Sequence, residues 1–161
     1  MLRTFQHKQL ITQKWEKSGD LWQLVSASEL REWNDDKREW IPQYLSQQID
    51  RGGSAIGAFV ENEIVGFGCV DGILDGKYAN LSMLFVDDDW KRKGIGKTLF
   101  QSLCRCAAEI GAEKMFISAI SSCETVSFYL HMGCVDAEEI IAEFVDTEQD
   151  RYLEFDLYGM N

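Results

Sequence analysis

The chain has 161 residues, of which 45% are hydrophobic and 12% aromatic, a composition typical of a folded globular protein rather than a disordered one. This length suits one domain with a substantial core, and we predict a single domain over residues 1–161. The net charge of −11 argues against nucleic acid as a partner, because binding to phosphates requires a basic surface. The negative electrostatic field of such a protein is compatible with a cationic substrate such as an amine, although acidic surfaces mainly serve solubility.

The sequence contains no apolar run long enough to cross a membrane, and the N-terminal stretch MLRTFQHKQL lacks the apolar centre of a signal peptide. The five cysteines include no Cys-x-x-Cys pair, and together with two histidines they form no zinc-binding spacing. We therefore expect a cytoplasmic protein with free thiols, no bound metal and no membrane partner.

The first half of the chain predicts helices followed by antiparallel strands. Residues Ser28–Arg51 are predicted to be helical in two pieces, with an apolar stripe that includes Trp33 and Trp40. Pro42 is compatible with this prediction only in the first turn of a helix. Two apolar runs, Ser54–Val60 and Glu63–Val70, flank a two-residue polar turn and predict a β-hairpin. A third strand is predicted over Asn80–Val86.

The second half predicts alternating helices and strands. Apolar residues at helical spacing predict a helix over Gly94–Ile110, and Lys114–Ile120 reads as a fourth strand. Ser122 can cap a further helix that runs to about His131 and ends at Gly133. The last two strands are predicted over Ile140–Val145 and Tyr152–Leu157.

The segment Leu81–Gly96, LSMLFVDDDWKRKGIG, carries the strongest functional signal. An apolar strand leads into a polar turn, three consecutive basic residues and Gly-Ile-Gly at a helix start. Exposed backbone N–H groups and the positive end of a helix dipole make such a loop a site for phosphate. The ATP-type phosphate loop would need glycine where Lys91 stands, and the dinucleotide fingerprint would need glycine where Leu99 stands.

A third type of phosphate loop fits better. Residues Lys91–Gly96 resemble the loop of the GNAT superfamily of N-acetyltransferases, which reads Arg or Gln, two residues, Gly, any residue, Gly or Ala. Lys91 occupies the Arg/Gln position, which keeps the charge but loses the planar donor geometry. A second GNAT motif is matched by Ser122, Thr125, Phe128, Tyr129 and Gly133, with Cys134 in place of the usual Phe. The resemblance covers residues 38–157.

The resemblance implies a mixed α/β fold of the acyl-CoA N-acyltransferase type, with a central, mostly antiparallel sheet and helices on both faces. The strand before the phosphate loop and the strand after its helix would splay apart, and acetyl-CoA would lie in that notch as cosubstrate. The implied reaction is transfer of the acetyl group to a primary amine of a small molecule or peptide by direct attack in a ternary complex. The implied acetyl-CoA contacts are Leu84, Phe85, Val86, Lys91, Arg92, Lys93, Gly94, Ile95, Gly96, Lys97, Thr98 and Ser122.

Tyr129 is the candidate general acid, because a phenol stays protonated at neutral pH and can give a proton to the departing thiolate. The structural alternative is that Phe128 and Tyr129 form a buried aromatic pair. The general base is not evident: Asp71, Glu124 and a water chain are the candidates.

Two other functions stay open at this point. A non-catalytic acyl-CoA-binding module on the same fold would explain why no general base is evident and why Lys91 replaces the usual Arg or Gln. A small P-loop phosphotransferase is disfavoured by the same lysine and by the lack of a metal-binding partner motif. The acceptor amine, and the choice between monomer and homodimer, are not encoded in a readable motif. We expect residues 28–51, 72–79 and the tail after Gly133 to build the acceptor site.

Overall fold

The computed structural model describes residues 2–160 and contains eight strands and three α-helices within that range. In chain order they are β1 (Lys8–Ser18), β2 (Leu21–Glu32), α1 (Asp35–Asp50), β3 (Ser54–Val60), β4 (Glu63–Val70), β5 (Tyr78–Val86), α2 (Ile95–Glu109), β6 (Lys114–Ala119), α3 (Cys123–Met132), β7 (Val135–Asp136) and β8 (Arg151–Asp156). Short 3₁₀ turns lie at Asp88–Trp90 and Ala142–Phe144. No helix in this range is long and apolar enough to cross a membrane.

Six strands form one sheet in the order β3-β4-β5-β6-β8-β7, and β1 and β2 form a separate two-stranded sheet. Every neighbouring pair is antiparallel except β5 and β6. Helix α2 covers one face, where Leu103 packs in a core with Val70. Helix α1 covers the other face, where Ile41 packs with Phe67 and Cys69. The predicted mixed fold, with a mostly antiparallel sheet and helices on both faces, is confirmed.

Strands β5 and β6 separate after a short parallel ladder. Only Tyr78–Asn80 of β5 pair with Lys114–Phe116 of β6. Beyond that point β6 stays paired with β8 as far as Ala119, and β5 stays paired with β4 as far as Val86. The splayed strands leave an opening in the middle of the sheet, beside the start of α2.

The hairpin, the two later helices and the last strand lie close to their predicted positions, but two segments do not. Ser28–Glu32 belong to β2 rather than to a helix, and a single helix α1 follows. Asn34 caps α1 by accepting a hydrogen bond from the Lys37 N–H at 2.8 Å, which explains why the helix begins there. Pro42 lies inside α1, beyond its first turn, so the first-turn expectation was wrong.

The predicted strand Ile140–Val145 is instead an irregular segment with one 3₁₀ turn. Its apolar side chains are buried at a spacing of three residues, because Ile141 and Phe144 both pack against Phe116 and Tyr78. The edge strand β7 lies earlier, at Val135–Asp136.

The chain before Ser28, which carries no readable motif, forms most of the β1–β2 hairpin. Its contacts with the rest of the molecule include a backbone hydrogen bond and an arginine stacked on two tryptophans. The Trp15 N–H donates to the Ser121 carbonyl at 2.7 Å. The Arg151 guanidinium lies 4.9 Å from the ring centroids of both Trp15 and Trp22, and it pairs with Asp136 through two hydrogen bonds of 2.8 and 2.9 Å.

Candidate functional site

A cavity of about 600 Å³ lies where β5 and β6 separate. Residues 81–86 of β5 form one wall, and residues 117–120 at the end of β6 form the opposite wall. The start of α2 closes one end, and α3 contributes Phe128 and Tyr129. The size is that of a small-molecule or cofactor site.

The β5 wall offers backbone groups as well as side chains. The Asp87 N–H donates to the Val65 carbonyl of β4 at 2.9 Å. Because hydrogen-bonding directions alternate along a strand, the backbone of Phe85 also faces β4, whereas Leu84 and Val86 point their N–H and C=O groups into the opening. An extended ligand can therefore pair with this edge as an added strand would.

The start of α2 is an anion cradle of backbone amides. Gly94 has a φ of 83°, in the left-handed region, and turns the chain into the helix. The Thr98 N–H is the first to bond within the helix, to the Gly94 carbonyl at 3.1 Å. Helix geometry therefore leaves the amides of Ile95, Gly96 and Lys97 free for an anion, and the first turn carries no acidic residue that would repel one.

The basic side chains before the cradle have different surroundings. Lys91 and Arg92 line the cavity, and Lys91 Nζ lies 3.1 Å from Asp88 Oδ1. Lys93 does not line the cavity, and its Nζ lies 5.6 Å from the Trp90 ring centroid. The positive charges at this end of the cavity are therefore those of Lys91, Arg92 and the nearby Lys97.

Most of the predicted acetyl-CoA contacts meet at this cavity. Leu84, Phe85, Val86, Lys91, Arg92, Gly94, Ile95, Gly96 and Lys97 all line it. Three predicted residues lie off its wall. Besides Lys93, these are Thr98, whose hydroxyl bonds the Gly94 carbonyl at 3.1 Å, and Ser122, which is buried and caps α3.

Tyr129 lines the cavity from α3 and is otherwise buried in the core beside α2. Burial, together with the nearby Cys134 and Cys104 thiols, raises the pKa of the Tyr129 phenol above its ordinary value. Its ring also packs against Phe100 and Phe128 with centroid separations of 6.0 and 5.2 Å. Tyr129 therefore belongs to a buried aromatic pair, as the structural alternative predicted, and it also presents a protonated phenol at the cavity wall.

A family model described as acetyltransferase (GNAT) domain matches residues 24–143, well over half of the 161 residues. The chain belongs to the GNAT acetyltransferase family. It is therefore an acyltransferase, as the two loop motifs predicted. A comparison with curated protein sequences gave no match.

Solved structures of GNAT acetyltransferases share the fold. A Bacillus anthracis str. Ames protein assigned as a streptothricin acetyltransferase, in complex with acetyl coenzyme A, has a TM-score of 0.71 at 15% identity, over 94% of this chain and 88% of that one. A nourseothricin acetyltransferase has a TM-score of 0.68 at 15% identity, over 96% and 89% of the two chains. The PaiA N-acetyltransferase from Thermoplasma acidophilum, in complex with coenzyme A, has a TM-score of 0.59 at 20% identity, over 77% and 79%.

This GNAT acetyltransferase also builds its cavity from residues that carried no sequence signal. His7 and Gln9 reach the cavity from the N-terminal segment, and Asp146 reaches it from the loop before β8. Gln9 is buried and donates to the Ser122 and Thr125 hydroxyls at 3.0 and 3.2 Å. Local sequence patterns could not identify these residues, because only tertiary contacts bring them close to the two motifs.

His7 is held neutral. Burial and the positive charge of Lys91 lower the pKa of the His7 imidazole to about 4. Its ring packs against Phe85 and Trp33 with centroid separations of 5.1 and 5.7 Å. Its Nδ1 is buried without a hydrogen-bond partner among residues 2–160.

The two carboxylates named as base candidates differ in location. Asp71 does not line the cavity; its carboxylate accepts hydrogen bonds from the Tyr44 hydroxyl at 2.8 Å and from Asn80 Nδ2 at 3.0 Å. Glu124 does line the cavity, from the first turn of α3. The described residues hold no cluster of three or more His, Cys, Asp or Glu side chains arranged to bind a metal ion.

Proposed function

We propose that this protein transfers the acetyl group of acetyl-CoA to a primary amine of a small molecule or peptide. The observation that carries the proposal is that one cavity joins the open edge of β5 to the amide cradle at α2. The cradle suits a pyrophosphate, and the strand edge suits an extended amide-containing arm such as pantetheine. The thioester would then lie between the splayed strands.

The reaction needs no covalent enzyme intermediate. The amine nitrogen attacks the thioester carbonyl carbon, the C–N bond forms, and the C–S bond breaks with its electron pair on sulfur. In this proposal the N–H of Leu84 or Val86 stabilises the developing oxyanion, and one such donor is worth roughly 3 kcal/mol of barrier. Tyr129 supplies the proton that converts the thiolate to free coenzyme A.

The charge of the cavity wall supports this arrangement. Its basic side chains, Lys91, Arg92 and Lys97, are grouped at the cradle, where the phosphates would lie. The strand edge between the cradle and Ser82 carries only apolar side chains, as a dry reaction centre requires.

Calorimetric titration of the protein with acetyl-CoA tests the cradle. Gly94→Trp should abolish binding, because the side chain would fill the cradle. The matched control is Gly111→Trp at the other end of α2, where a glycine has a φ of 100° and equally open surroundings. Both variants carry a similar backbone strain, so equal loss of binding in both would contradict the cradle.

Release of free thiol in the presence of amines then tests the reaction. We expect turnover with the wild type and none with Gly94→Trp. Acetyl-CoA binding without turnover on any amine would overturn the proposed reaction and favour a non-catalytic acyl-CoA-binding module. The absence of acetyl-CoA binding to the folded wild type would overturn both.

A further inference from the structure

The cavity opens on both faces of the sheet. Ile117 and Ala119 of β6 face the core beside α2, and both line the cavity. Ser118 lies between them and also lines it, so its side chain points to the opposite face. A donor bound along the α2 face and an acceptor arriving from the other face would therefore meet in the opening between β5 and β6.

Asp146 stands at the mouth on that second face. Its N–H donates to the Ser118 hydroxyl at 3.1 Å, and this hydroxyl bonds Asp150 Oδ2 at 2.7 Å. The Thr147 hydroxyl donates to the other carboxylate oxygen of Asp150 at 2.9 Å. These three bonds fix the loop on the end of β6 and place Asp146 on the cavity wall.

Asp146 is partly open to solvent, and its carboxylate makes no hydrogen bond or ion pair with another residue in the range 2–160. Glu124 is the other carboxylate on the cavity wall, and it lies on α3, the helix that carries Tyr129. The wall opposite Tyr129 thus offers an accepting group without a protein partner.

The negative charges near Asp146 favour the binding of a proton or a cation by its carboxylate. Partial burial and the negative charges of Asp150 and Asp71 raise the pKa of the Asp146 carboxyl, while the positive charge of Lys37 opposes this. The Lys37 ammonium lies 5.5 Å from the ring centroids of both Trp33 and Phe85. Lys37 therefore occupies these aromatic faces itself, and the group left to bind the ammonium of an acceptor is the Asp146 carboxylate on the cavity wall.

We propose that Asp146 binds the ammonium group of the acceptor and receives the proton that this group must lose before its nitrogen can attack. This inference rests on the proposed acetyl transfer. An acceptor that enters as an ammonium ion loses two protons overall. The first leaves the ammonium through Asp146 to solvent and frees the lone pair for attack. The second leaves the nitrogen after the C–N bond has formed and replaces the proton that Tyr129 gives to the coenzyme A thiolate. The acceptor class is therefore a cationic primary amine.

The test uses the full chain with acetyl-CoA and three probe amines, putrescine, spermidine and L-lysine. Asp146→Asn should lower kcat/KM by about 100-fold, the usual scale for loss of a positioned base. In the wild type, kcat/KM should fall as pH drops through the pKa of Asp146, and this acid limb should be absent from the Asn variant. Asp146→Glu should keep the limb at reduced kcat, because the longer side chain misplaces the same group.

Two comparators separate a specific role from a general loss of negative charge. Glu148→Gln removes an exposed carboxylate two residues away, and Glu124→Gln removes the cavity carboxylate on α3. We expect less than about a threefold change in Glu148→Gln, as for an exposed charge outside a reaction path. Glu124→Gln tests whether the other cavity carboxylate is the base instead. Calorimetry with acetyl-CoA should give the same affinity for all four variants, which reports that the donor site has folded.

The outcomes are distinguishable. If the wild type acetylates a probe amine and Asp146→Asn retains its rate and acid limb, the inference is overturned and the proposed function stands. A loss in Glu124→Gln in place of Asp146→Asn would move the role to α3 and also overturn it. If the wild type binds acetyl-CoA but acetylates none of the amines, the proposed function fails and the inference fails with it.

Discussion

The phenol of Tyr129 is buried by the core yet lines the cavity, so the proposed acid role would give one side chain both a packing and a chemical function. Tyr129→Phe separates them, because it keeps the ring and removes the proton donor. We expect kcat to fall by about 100-fold with acetyl-CoA affinity unchanged. Free-thiol release and calorimetry measure the two quantities. Tyr158→Phe is the control, since Tyr158 is 94% exposed; a wild-type kcat in Tyr129→Phe would exclude the acid role.

The partly buried His7 should give the protein a defined pH response. Its folded pKa of about 4 lies below the ordinary value of 6.5, so below 6.5 the unfolded chain binds the proton more readily. The contribution of neutral His7 to stability is present above pH 6.5, is lost as pH falls towards 4, and is fully absent below that value.

Urea unfolding measures this effect. Between about pH 7.5 and about pH 5, wild-type stability should fall by about 2 kcal/mol more than that of His7→Gln. His131→Gln, which removes an exposed histidine, should behave as the wild type does. Equal pH dependence in all three proteins would show that His7 titrates alike in the folded and unfolded chains.

At the scale of elements, one side chain of β8 helps to anchor the N-terminal hairpin. The Arg151 guanidinium lies between Trp15 and Trp22 and pairs with Asp136 through two hydrogen bonds. Arg151→Lys keeps the charge but loses the planar stack and the paired donors. We expect a loss of about 1–2 kcal/mol of stability, concentrated in β1 and β2.

Amide hydrogen exchange checks where that loss falls. Protection in β1 and β2 should decrease in Arg151→Lys, whereas β4 and β5 should keep theirs. Lys17→Met is the control, because Lys17 Nζ lies 5.9 Å from the Trp22 ring centroid on an exposed part of the same hairpin. A uniform loss of protection over the whole sheet would contradict a local anchoring role.

The elements differ in how far the sequence could predict them. The cradle was predictable because its chemistry is local: Gly94 supplies a left-handed turn, and the amides that follow belong to one helix start. The β1–β2 hairpin was not predicted, because its strands lack a clear apolar alternation, with Leu10, Leu21 and Leu30 all exposed. Asp146 was missed for another reason: the contact that places it, with Ser118, joins residues 28 positions apart.

At the scale of the whole molecule, the net charge of −11 should influence how fast a cationic amine arrives. We expect kcat/KM for spermidine to fall with rising salt, because screening at about 0.15 M ionic strength confines the protein's field to about 8 Å. Acetyl-CoA is itself an anion, so its concentration is kept saturating. Steady-state kinetics from low to high salt make the measurement.

A primary arylamine, which is uncharged at neutral pH, gives the comparison. Its kcat/KM should change little over the same range of salt, because no long-range attraction is lost. An equal decline for both amines would indicate that salt acts on the protein itself rather than on encounter.

The two sides of the cavity differ in how they arise along the chain. The donor side, the strand edge and the cradle, comes from one continuous segment, residues 81–97. The side proposed to bind the acceptor includes Asp146, and the cavity wall also includes His7 and Gln9 from near the other end of the sequence. Bringing residues so distant in the chain together costs conformational entropy, which only the interactions of the complete fold offset. A partly unfolded chain could therefore retain an anion-binding turn while having no acceptor site, so that acceptor recognition reports on the integrity of the whole fold.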